Sequence, residues 1–359
     1  MKRREFIKKA AAGVAASSVF GPVYAQTQKR IRWRMATSWP KSLDTIYGGA
    51  ELIARRVNEL TDGKFQIRVY AAFEIVPPLK VVDAVQQGTV EAGHTASYYY
   101  IGKHPAFAFG TALPFGFTYR VQNAWLYNGN GNKLMNELFA EYNMIGFPAG
   151  NTGAQMGGWF RKEINSVEDL KGLKMRIPGL GGKVMDRLGV TVQVLGGGET
   201  FPALERGTID AAEWVGPYDD EKLGFYKVAK YYYYPGWWEP GPTLHFYVNL
   251  DAWNKLPAEY QAILKTVAAE ANLQMMVDYD SKNPAALKSL LGRGVRLRKF
   301  PLDVLKAAEK EAFALYDELA AENKFYRKVY EDWKAFREDA HRWFGTTELA
   351  IGQYLFAGL

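Results

Sequence analysis

One arginine has the sequence context of an anion ligand. Arg176 lies near the end of a mostly apolar segment, residues 173–177, which Pro178 and Gly179 terminate. Its guanidinium is therefore expected at the end of a short strand. That planar fork can hold a carboxylate through two parallel charge-assisted hydrogen bonds, each worth roughly 1.5–3 kcal/mol. An ion pair with a carboxylate of the protein itself is the competing interpretation.

Acidic and amide side chains could supply a cation site. Glu213 follows a predicted buried strand, while the amide of Gln155 and the backbone carbonyl of Trp214 are neutral oxygen donors. Hard oxygen ligands of this kind suit Na⁺ or Ca²⁺. Glu239 is a weaker candidate for the same site, and a salt bridge beneath a cleft is the alternative role for Glu213. Zinc-type sites are not indicated, because the chain has no cysteine and its four histidines show no ligand spacing.

Aromatic residues could line a ligand cavity. In the extended run Tyr98, Tyr99 and Tyr100, alternate side chains would point to opposite faces, which favours Tyr100 and, after it, Tyr99 as cavity residues. A second run, residues 231–234, is more typical of core packing. Trp39 lies in the loop after the first predicted strand, where side chains often face a cleft. Packing at the edge of a lobe explains Trp39 equally well.

A phrase of nine residues that occurs twice indicates how these candidates are positioned. Residues 84–92 read AVQQGTVEA and residues 203–211 read ALERGTIDA. Each copy predicts the end of a helix, a glycine beyond its C-terminus and the start of a buried strand. Two such α/β units would form two lobes with a cleft between them, where small ligands usually bind. Chance similarity between two ordinary helix-to-strand junctions is the alternative.

The first residues have the pattern of an export signal. Residues 1–25 contain basic residues, then an apolar run, then small residues before a cleavage point at Ala25, and Arg3-Arg4 is the twin-arginine variant of this pattern. Lys2 departs from that variant, so the ordinary secretory route stays open. The apolar run is far shorter than the ~20 residues that span a bilayer, and no later run is longer. We therefore expect a periplasmic protein with no membrane span in the mature chain.

Charge and composition exclude several classes of function. Residues 1–25 carry a net charge of +4 out of the total of +7, so the mature chain is only mildly basic and nucleic acid is not an expected partner. The absence of cysteine rules out disulfides and thiol catalysis. A phosphate-binding loop, a nucleophile elbow and the H-E-x-x-H motif are also missing from the sequence.

The pattern of predicted strands and helices divides the mature chain into three parts. Residues 26–150 are expected to form mainly lobe 1, and residues 151–250 mainly lobe 2, with strands crossing between them. Residues 251–359 are expected to be helical and to pack on the lobes. Among them, residues 325–344 carry an aromatic stripe that includes Tyr326 and Trp343. This stripe could pack on its own lobe or on a second copy of the chain.

Several of these features together resemble a known family. They are the export signal, the doubled phrase, residues 151–158 (NTGAQMGG), residues 174–179 (KMRIPG) and the pair Glu213-Trp214. They resemble the solute receptors of tripartite ATP-independent periplasmic (TRAP) transporters, and most closely the branch that binds 2-oxo and 2-hydroxy monocarboxylates with a metal ion. The resemblance covers essentially the whole mature chain.

The resemblance implies a fold, a function and partners. The fold would be α/β and periplasmic-binding-protein-like, with two lobes around a cleft and a long helical C-terminal part. The protein would capture pyruvate, lactate or another 2-oxoacid without converting it, deliver it to a membrane permease, and form a homodimer by exchange of terminal helices. The carboxylate and 2-oxygen of the ligand would complete the cation shell. The expected substrate-binding residues are Arg176, Gln155, Tyr100, Tyr99, Asn151, Trp214 and Trp39, and the expected metal ligands are Gln155, Glu213, Trp214 and Glu239.

Two other functions remain open on the sequence. An exported enzyme could act on a 2-oxoacid through a metal-bound water near Glu213. A receptor of an ATP-driven importer would share the two lobes, although the helical last part of the chain and the strand around Arg176 argue against it.

Overall fold

The computed structural model describes residues 30–357, so the expected export signal lies outside the described residues. The strands are β1 (Ile31–Thr37), β2 (Phe65–Tyr70), β3 (Ala92–Thr95), β4 (Met144–Asn151), β5 (Trp159–Phe160), β6 (Lys174–Arg176), β7 (Thr191–Gln193), β8 (Ala211–Ala212), β9 (Tyr231–Tyr234), β10 (Thr243–Asn249) and β11 (Arg296–Lys299). The helices are α1 (Ile46–Leu60), α2 (Val81–Gln86), α3 (Phe107–Thr111), α4 (Tyr119–Tyr127), α5 (Gly131–Glu141), α6 (Gly179–Arg187), α7 (Gly197–Arg206), α8 (Pro217–Leu223), α9 (Leu250–Asn254), α10 (Ala258–Gly292), α11 (Leu302–Glu322), α12 (Lys324–Phe344) and α13 (Ala350–Phe356).

These elements form two mixed sheets of related topology. The strand order is β2-β1-β3-β10-β4 in the first sheet and β11-β9-β5-β8-β6-β7 in the second. In the first sheet, β3 runs parallel to β1 and antiparallel to β10. In the second, β8 runs parallel to β6 and antiparallel to β5. The α/β fold with two similar halves is confirmed.

Two strands depart from a simple division of the chain. β10 lies in the part of the sequence expected mainly in lobe 2, yet it pairs with β3 and β4 of the first sheet. β11 lies in the region expected to be helical, yet it pairs with β9 and forms an edge of the second sheet. Both strands satisfy backbone groups that a sheet of local strands alone would leave unpaired.

Both copies of the doubled phrase adopt the predicted helix-to-strand junction. Gly88 (φ 70°) follows α2 and Gly207 (φ 72°) follows α7, and both have the left-handed conformation that glycine adopts at low cost. Val90 and Ile209 are fully buried where the chain enters β3 and β8. The prediction made from the repeat is therefore confirmed at both places.

The acidic position of the phrase joins each junction to the neighbouring strand. The carboxylate of Glu91 accepts a hydrogen bond of 2.8 Å from the backbone N–H of Arg34, at the strand β1. The carboxylate of Asp210 accepts one of 3.0 Å from the backbone N–H of Lys174, at the strand β6. The chemical similarity of Glu91 and Asp210 thus has a structural cause in both sheets.

The long helix α10 packs against both halves of the molecule. It contacts β4 and α1 on the side of the first sheet and α8 on the side of the second. Its residues Ala271, Met275 and Tyr279 are buried in these contacts. Within residues 30–357, no helix has the length and apolar character needed to cross a membrane.

The aromatic stripe of α12 divides into a buried and an exposed part. Tyr326, Tyr330 and Trp333 are buried against the chain itself, and the Trp333 ring stacks on Phe117 with centroids 4.9 Å apart. Trp343, at the end of the helix, is 63% exposed. Most of the stripe therefore packs on its own lobe, as one of the two interpretations held.

Candidate ligand and cation site

A small cavity lies where loops from the two sheets meet. Its empty volume is about 260 Å³. Its lining residues follow β1, β3, β4 and β8, or lie just before or at the start of β10. They are Trp39, Ile46, Tyr98, Tyr99, Thr152, Gln155, Trp214, Val215, Glu239, Pro242 and Leu244. Two wider surface grooves, beside α1 and beside α9, are lined by none of the expected site residues.

Arg176 is buried behind this cavity and is held at several of its nitrogen atoms. Its side chain is 1% exposed, and Nε donates to the carbonyl of Leu195 at 3.0 Å. Nη1 donates to the backbone carbonyl of Glu213 at 2.8 Å and forms an ion pair with the carboxylate of the same residue. Within residues 30–357, Nη2 makes one long hydrogen bond of 3.5 Å, to the hydroxyl of Tyr99. Arg176 therefore forms an ion pair with Glu213, and its Nη2 can still donate to a ligand.

The opposite charges of Arg176 and Glu213 counteract the effect of burial on the pKa of each group. Burial alone would lower the pKa of Arg176, but the negative charge of Glu213 raises it above its ordinary value. Burial raises the pKa of Glu213, the charge of Arg176 acts in the opposite direction, and the nearby Asp220 raises it further. An additional positive charge at Glu213 would therefore favour its ionised form.

Two buried oxygen atoms near the cavity have no hydrogen-bond partner among the described residues. They are Oε2 of Glu213 and Oε1 of Gln155, whose Nε2 donates to Thr152 at 2.9 Å. Leaving such atoms unsatisfied costs about 1–3 kcal/mol each, more for a charged group. Both are hard oxygen donors, so their chemistry fits a cation of the Na⁺ or Ca²⁺ type. No group of three or more His, Cys, Asp or Glu side chains suited to a metal occurs in residues 30–357.

Glu239 belongs to the same acidic environment. It lines the cavity, is 4% exposed, and accepts a hydrogen bond of 3.4 Å from the hydroxyl of Tyr98. Burial, and then the charge of Glu213, raises the pKa of Glu239 well above its ordinary value. Two carboxyl groups at one site repel each other when both are ionised, and a bound cation removes that repulsion.

Aromatic rings form much of the cavity wall. Trp39 and Trp214 meet edge to face, with centroids 6.3 Å apart and planes at 76°. Tyr99 lies 6.3 Å from Trp39, and the guanidinium of Arg176 lies 5.0 Å from the centre of the Trp214 ring. Of the expected residues, Trp39, Tyr99, Gln155, Trp214 and Glu239 are thus brought together at the cavity.

Two expected ligand residues lie outside the cavity lining. The segment Ser97–Tyr100 is a 3₁₀ helix rather than an extended run, so its side chains do not alternate between two faces. The hydroxyl of Tyr100 instead accepts from the backbone N–H of Val82 and bonds to Thr95. The amide of Asn151 holds the turn after β4, donating to the carbonyl of Gly241 at 3.2 Å and accepting from Gly153 at 2.8 Å. Both side chains are thus placed outside the lining of this cavity, and their contact with a ligand stays a prediction.

Sequence reasoning missed other residues that shape the site. Tyr98 lines the cavity and donates its hydroxyl to Glu239. Asp219 accepts a hydrogen bond from the indole of Trp214 at 3.2 Å. No spacing rule in the sequence indicates that contact.

The chain is similar to proteins of a known family over most of its length. The model of the bacterial extracellular solute-binding protein family 7, DctP, matches residues 35–323. The chain belongs to this family, and it is a solute-binding receptor of the TRAP type rather than an enzyme. The family proposed from the sequence motifs is confirmed.

Particular relatives are similar over nearly their whole length. The monocarboxylate 2-oxoacid-binding periplasmic protein of Nostoc sp. is 56% identical over 99% of both chains. A TRAP solute-binding protein of Bordetella bronchiseptica is 49% identical with a TM-score of 0.90, covering 92% of this chain and 98% of its own, and its crystal is a mixed-occupancy dimer with calcium and picolinate. One from Pseudoalteromonas atlantica, with sodium and pyruvate, is 41% identical with a TM-score of 0.88, covering 90% and 99%.

Proposed function

We propose that this receptor captures a small 2-oxo or 2-hydroxy monocarboxylate, such as pyruvate or lactate, together with Na⁺ or Ca²⁺, and delivers it to the membrane permease of a TRAP transporter. The observation that carries the proposal is the buried pair Arg176–Glu213 beside a cavity with two unpartnered oxygens. The similarity to the Nostoc receptor and to the sodium-pyruvate and calcium-picolinate structures supports it.

The size of the cavity supports a small ligand. Its empty space of about 260 Å³ includes space open to solvent, and the part that water can occupy is only about 10 Å³, so the cavity as it stands has room for a small occupant at most. A ligand of about six heavy atoms, at the ceiling of about −1.5 kcal/mol per atom, could reach roughly −9 kcal/mol, which corresponds to a submicromolar Kd. Tight binding of a pyruvate-sized anion is therefore physically attainable.

Each residue has a defined role in this proposal. Nη2 of Arg176, with its long hydrogen bond to Tyr99, binds the ligand carboxylate. Glu213, Gln155 and the carbonyl of Trp214 hold the cation, and Glu239 balances the charge from the opposite wall. When bound, the cation supplies positive charge between the protein carboxylates and the ligand oxygens. Trp39 and Tyr99 exclude water from the bound anion.

Calorimetry and native mass spectrometry test this function together. Mass spectra of the purified mature protein are expected to show a cation and a monocarboxylate of low mass bound at one of each per chain. Replacing Arg176 by lysine removes Nη2, the nitrogen assigned to the ligand carboxylate, so the pyruvate or lactate Kd is expected to rise at least about tenfold. Arg187→Lys, at a surface ion pair with Glu318, is the matched control. An unchanged Kd in Arg176→Lys would remove this arginine from the site.

The two sheets also suggest how the ligand is enclosed. We propose that residues 26–150 and 151–250 act mainly as two lobes, with β10 crossing between them and residues 251–359 packing across both. Binding then closes the lobes over the cavity. Small-angle X-ray scattering tests this: the radius of gyration is expected to fall when ligand and cation are added to stripped protein. An identical radius in both states contradicts closure.

We further propose a homodimer formed through the end of the chain. Large apolar side chains are exposed there, namely Trp343, Leu349, Ile351, Tyr354, Leu355 and Phe356. Such a surface is large for a monomer and typical of an interface, and the Bordetella relative was crystallised as a dimer. Light scattering over a hundredfold dilution is expected to give a dimer mass that Tyr354→Ser with Leu355→Ser abolishes. Phe73→Ser, at an exposed apolar residue elsewhere, is the control. A monomer mass for the wild type contradicts the dimer.

The periplasm is the proposed location, reached through residues 1–25 by the twin-arginine route. Replacing Arg3 and Arg4 together by lysines is expected to stop export if that route is used, because its receptor reads the arginine pair. Cell fractionation measures the result. Normal export of the double variant would instead identify the ordinary secretory route.

A further inference from the structure

The two tryptophans that line the cavity each donate their indole N–H to a buried acceptor. Nε1 of Trp39 donates to Nδ1 of His94 at 2.8 Å, on the side of the first sheet. Nε1 of Trp214 donates to Oδ2 of Asp219 at 3.2 Å, on the side of the second. Both acceptors are 0% exposed. Each ring is therefore held at its polar atom by a residue outside the cavity lining.

Both acceptors are themselves fixed by a second bond. Nε2 of His94 lies 3.1 Å from the backbone carbonyl of Ala149, and because a carbonyl can only accept, Nε2 carries the proton and Nδ1 is left to accept from Trp39. The same Oδ2 of Asp219 accepts from the hydroxyl of Tyr279, in the long helix α10, at 2.8 Å. Neither acceptor can turn away without losing a buried hydrogen bond.

The rings are also close to their packing limits. A Cβ at Gly197 would come within 2.7 Å of the Trp214 ring, so the helix α7 presses directly on that indole. Trp214 in turn meets Trp39 edge to face. In a cavity of about 260 Å³, a rotation of either ring would change the space left for the ligand.

We propose that His94 and Asp219 are positioning residues that set the size selectivity of the receptor. They do so by fixing the Trp39 and Trp214 rings, which meet edge to face in the cavity wall, and this limits the room for any ligand group beyond the carboxylate and the 2-oxygen. The inference rests on the proposed binding of a 2-oxoacid in this cavity. In each lobe, one buried residue, His94 or Asp219, then acts on the ligand only through the tryptophan whose indole it holds.

The ratio of two dissociation constants tests this role. Calorimetry on the full mature protein, at fixed saturating calcium, measures the Kd for pyruvate and for 2-oxohexanoate. One methylene in an apolar pocket is worth roughly tenfold or more in discrimination, so the wild type is expected to bind pyruvate at least about tenfold more tightly than 2-oxohexanoate. Asp219→Leu and His94→Leu are each expected to reduce this ratio of the two Kd values about fivefold or more.

Matched variants separate positioning from stability. Asp219→Asn keeps an oxygen that can accept from Trp214, so it is expected to retain the ratio within about twofold. Trp159→Phe is the structural control, because its indole makes the same kind of bond to Asp220, at 2.9 Å, but lies outside the cavity lining. It is expected to lower Tm and leave the ratio within about twofold. If Asp219→Leu does not fold, Tyr279→Phe, which frees the same carboxylate, is expected to shift the ratio.

The outcomes distinguish this inference from the proposed function. A wild type that binds neither acid contradicts both. A wild type that binds both acids with equal Kd, or with a ratio that the His94 and Asp219 variants leave unchanged, overturns the positioning role alone. An equal shift in Trp159→Phe overturns it as well, since the effect would then come from lost stability.

Discussion

The two copies of the doubled phrase occupy equivalent places in their sheets but lead to different chemistry. Each strand that follows, β3 or β8, has one parallel and one antiparallel neighbour. The first copy continues into the neutral, buried His94, and the second continues at the matching position into Glu213. His94 is uncharged and accepts a hydrogen bond from the aromatic wall residue Trp39, whereas Glu213 forms the ion pair with Arg176 in the second sheet.

The neighbouring strand shows the same contrast. Ala36 lies opposite Gly93 in the first sheet, and at the equivalent register Arg176 lies opposite Ala212 in the second. A Cβ on Gly93 would come within 2.6 Å of the Val81 side chain, so the first sheet is close-packed where the second holds a guanidinium. The repeated backbone is a scaffold, and the side chains at two matched positions decide which half carries charge.

The largest expected effect is the loss of Arg176. Arg176→Leu leaves Glu213 buried without its partner, so the free energy of unfolding at pH 8 is expected to fall by about 3–5 kcal/mol and monocarboxylate binding to be lost. Ala36→Gly, at the equivalent position of the first sheet, is expected to cost about 1 kcal/mol or less. Urea unfolding measures both. Equal costs would mean that the two halves do not differ as described.

The stability that buried groups provide is expected to change with pH in opposite directions in the two halves. Burial lowers the pKa of His94 to about 4, so the stability it provides above pH 6.5 is lost as the pH falls towards 4. Burial raises the pKa of Asp220 to about 7, so its contribution is present below pH 3.8 and is lost as the pH rises towards 7. Each contribution is on the order of 1–4 kcal/mol.

Variants at these two positions separate the two responses. In urea unfolding between pH 3.5 and 8, His94→Gln is expected to reduce the loss of stability at acid pH. Some of that loss remains, because the buried His245 still contributes. Asp220→Asn is expected to weaken the loss on the neutral side, where Asp219 remains. Profiles that stay parallel to the wild type in both variants would contradict the assignment.

A smaller effect is expected on the linkage between cation and anion. Each should raise the affinity of the other by the same factor, typically about 5–150-fold, and Glu213→Gln is expected to remove most of that factor. Calorimetry with and without calcium, after exhaustive chelation, measures it. Glu91→Gln changes the carboxylate of the first copy, away from the cavity, and is the control. Chelated wild-type protein that binds the oxoacid as tightly as before rules out the linkage.

The smallest effect is expected at the outer contact between the halves. Asp44, before α1, accepts a hydrogen bond of 3.0 Å from Tyr218 and forms an ion pair with Lys222, both in α8. Exposed pairs of this kind contribute about 0.2–1 kcal/mol, so Asp44→Ala is expected to speed ligand release by at most about fivefold. Stopped-flow fluorescence measures the rate. Lys41→Ala, in a pair within the first half, should leave it unchanged.

Local sequence patterns predicted the scaffold and part of the site. The glycines of the doubled phrase, the strand around Arg176 and the acid at Glu213 follow from short-range rules of capping, burial and alternation. The extended conformation assumed for the run that includes Tyr100 was wrong, because the residues after β3 form a 3₁₀ helix. The partners of Trp39 and Trp214 were not predictable, because no rule of spacing specifies a contact between side chains of different elements.

By itself, the sequence determined the two α/β units, the family and the presence of an arginine and an acid suited to an anion and a cation. Only the tertiary structure decided that Arg176 binds Glu213, that Tyr98 rather than Tyr100 faces the cavity, and that most of the α12 stripe packs on its own chain. The physical reason is distance along the chain. Hydrogen bonding and periodicity within one element are local, whereas a cavity is formed by residues that come together only when separate elements pack.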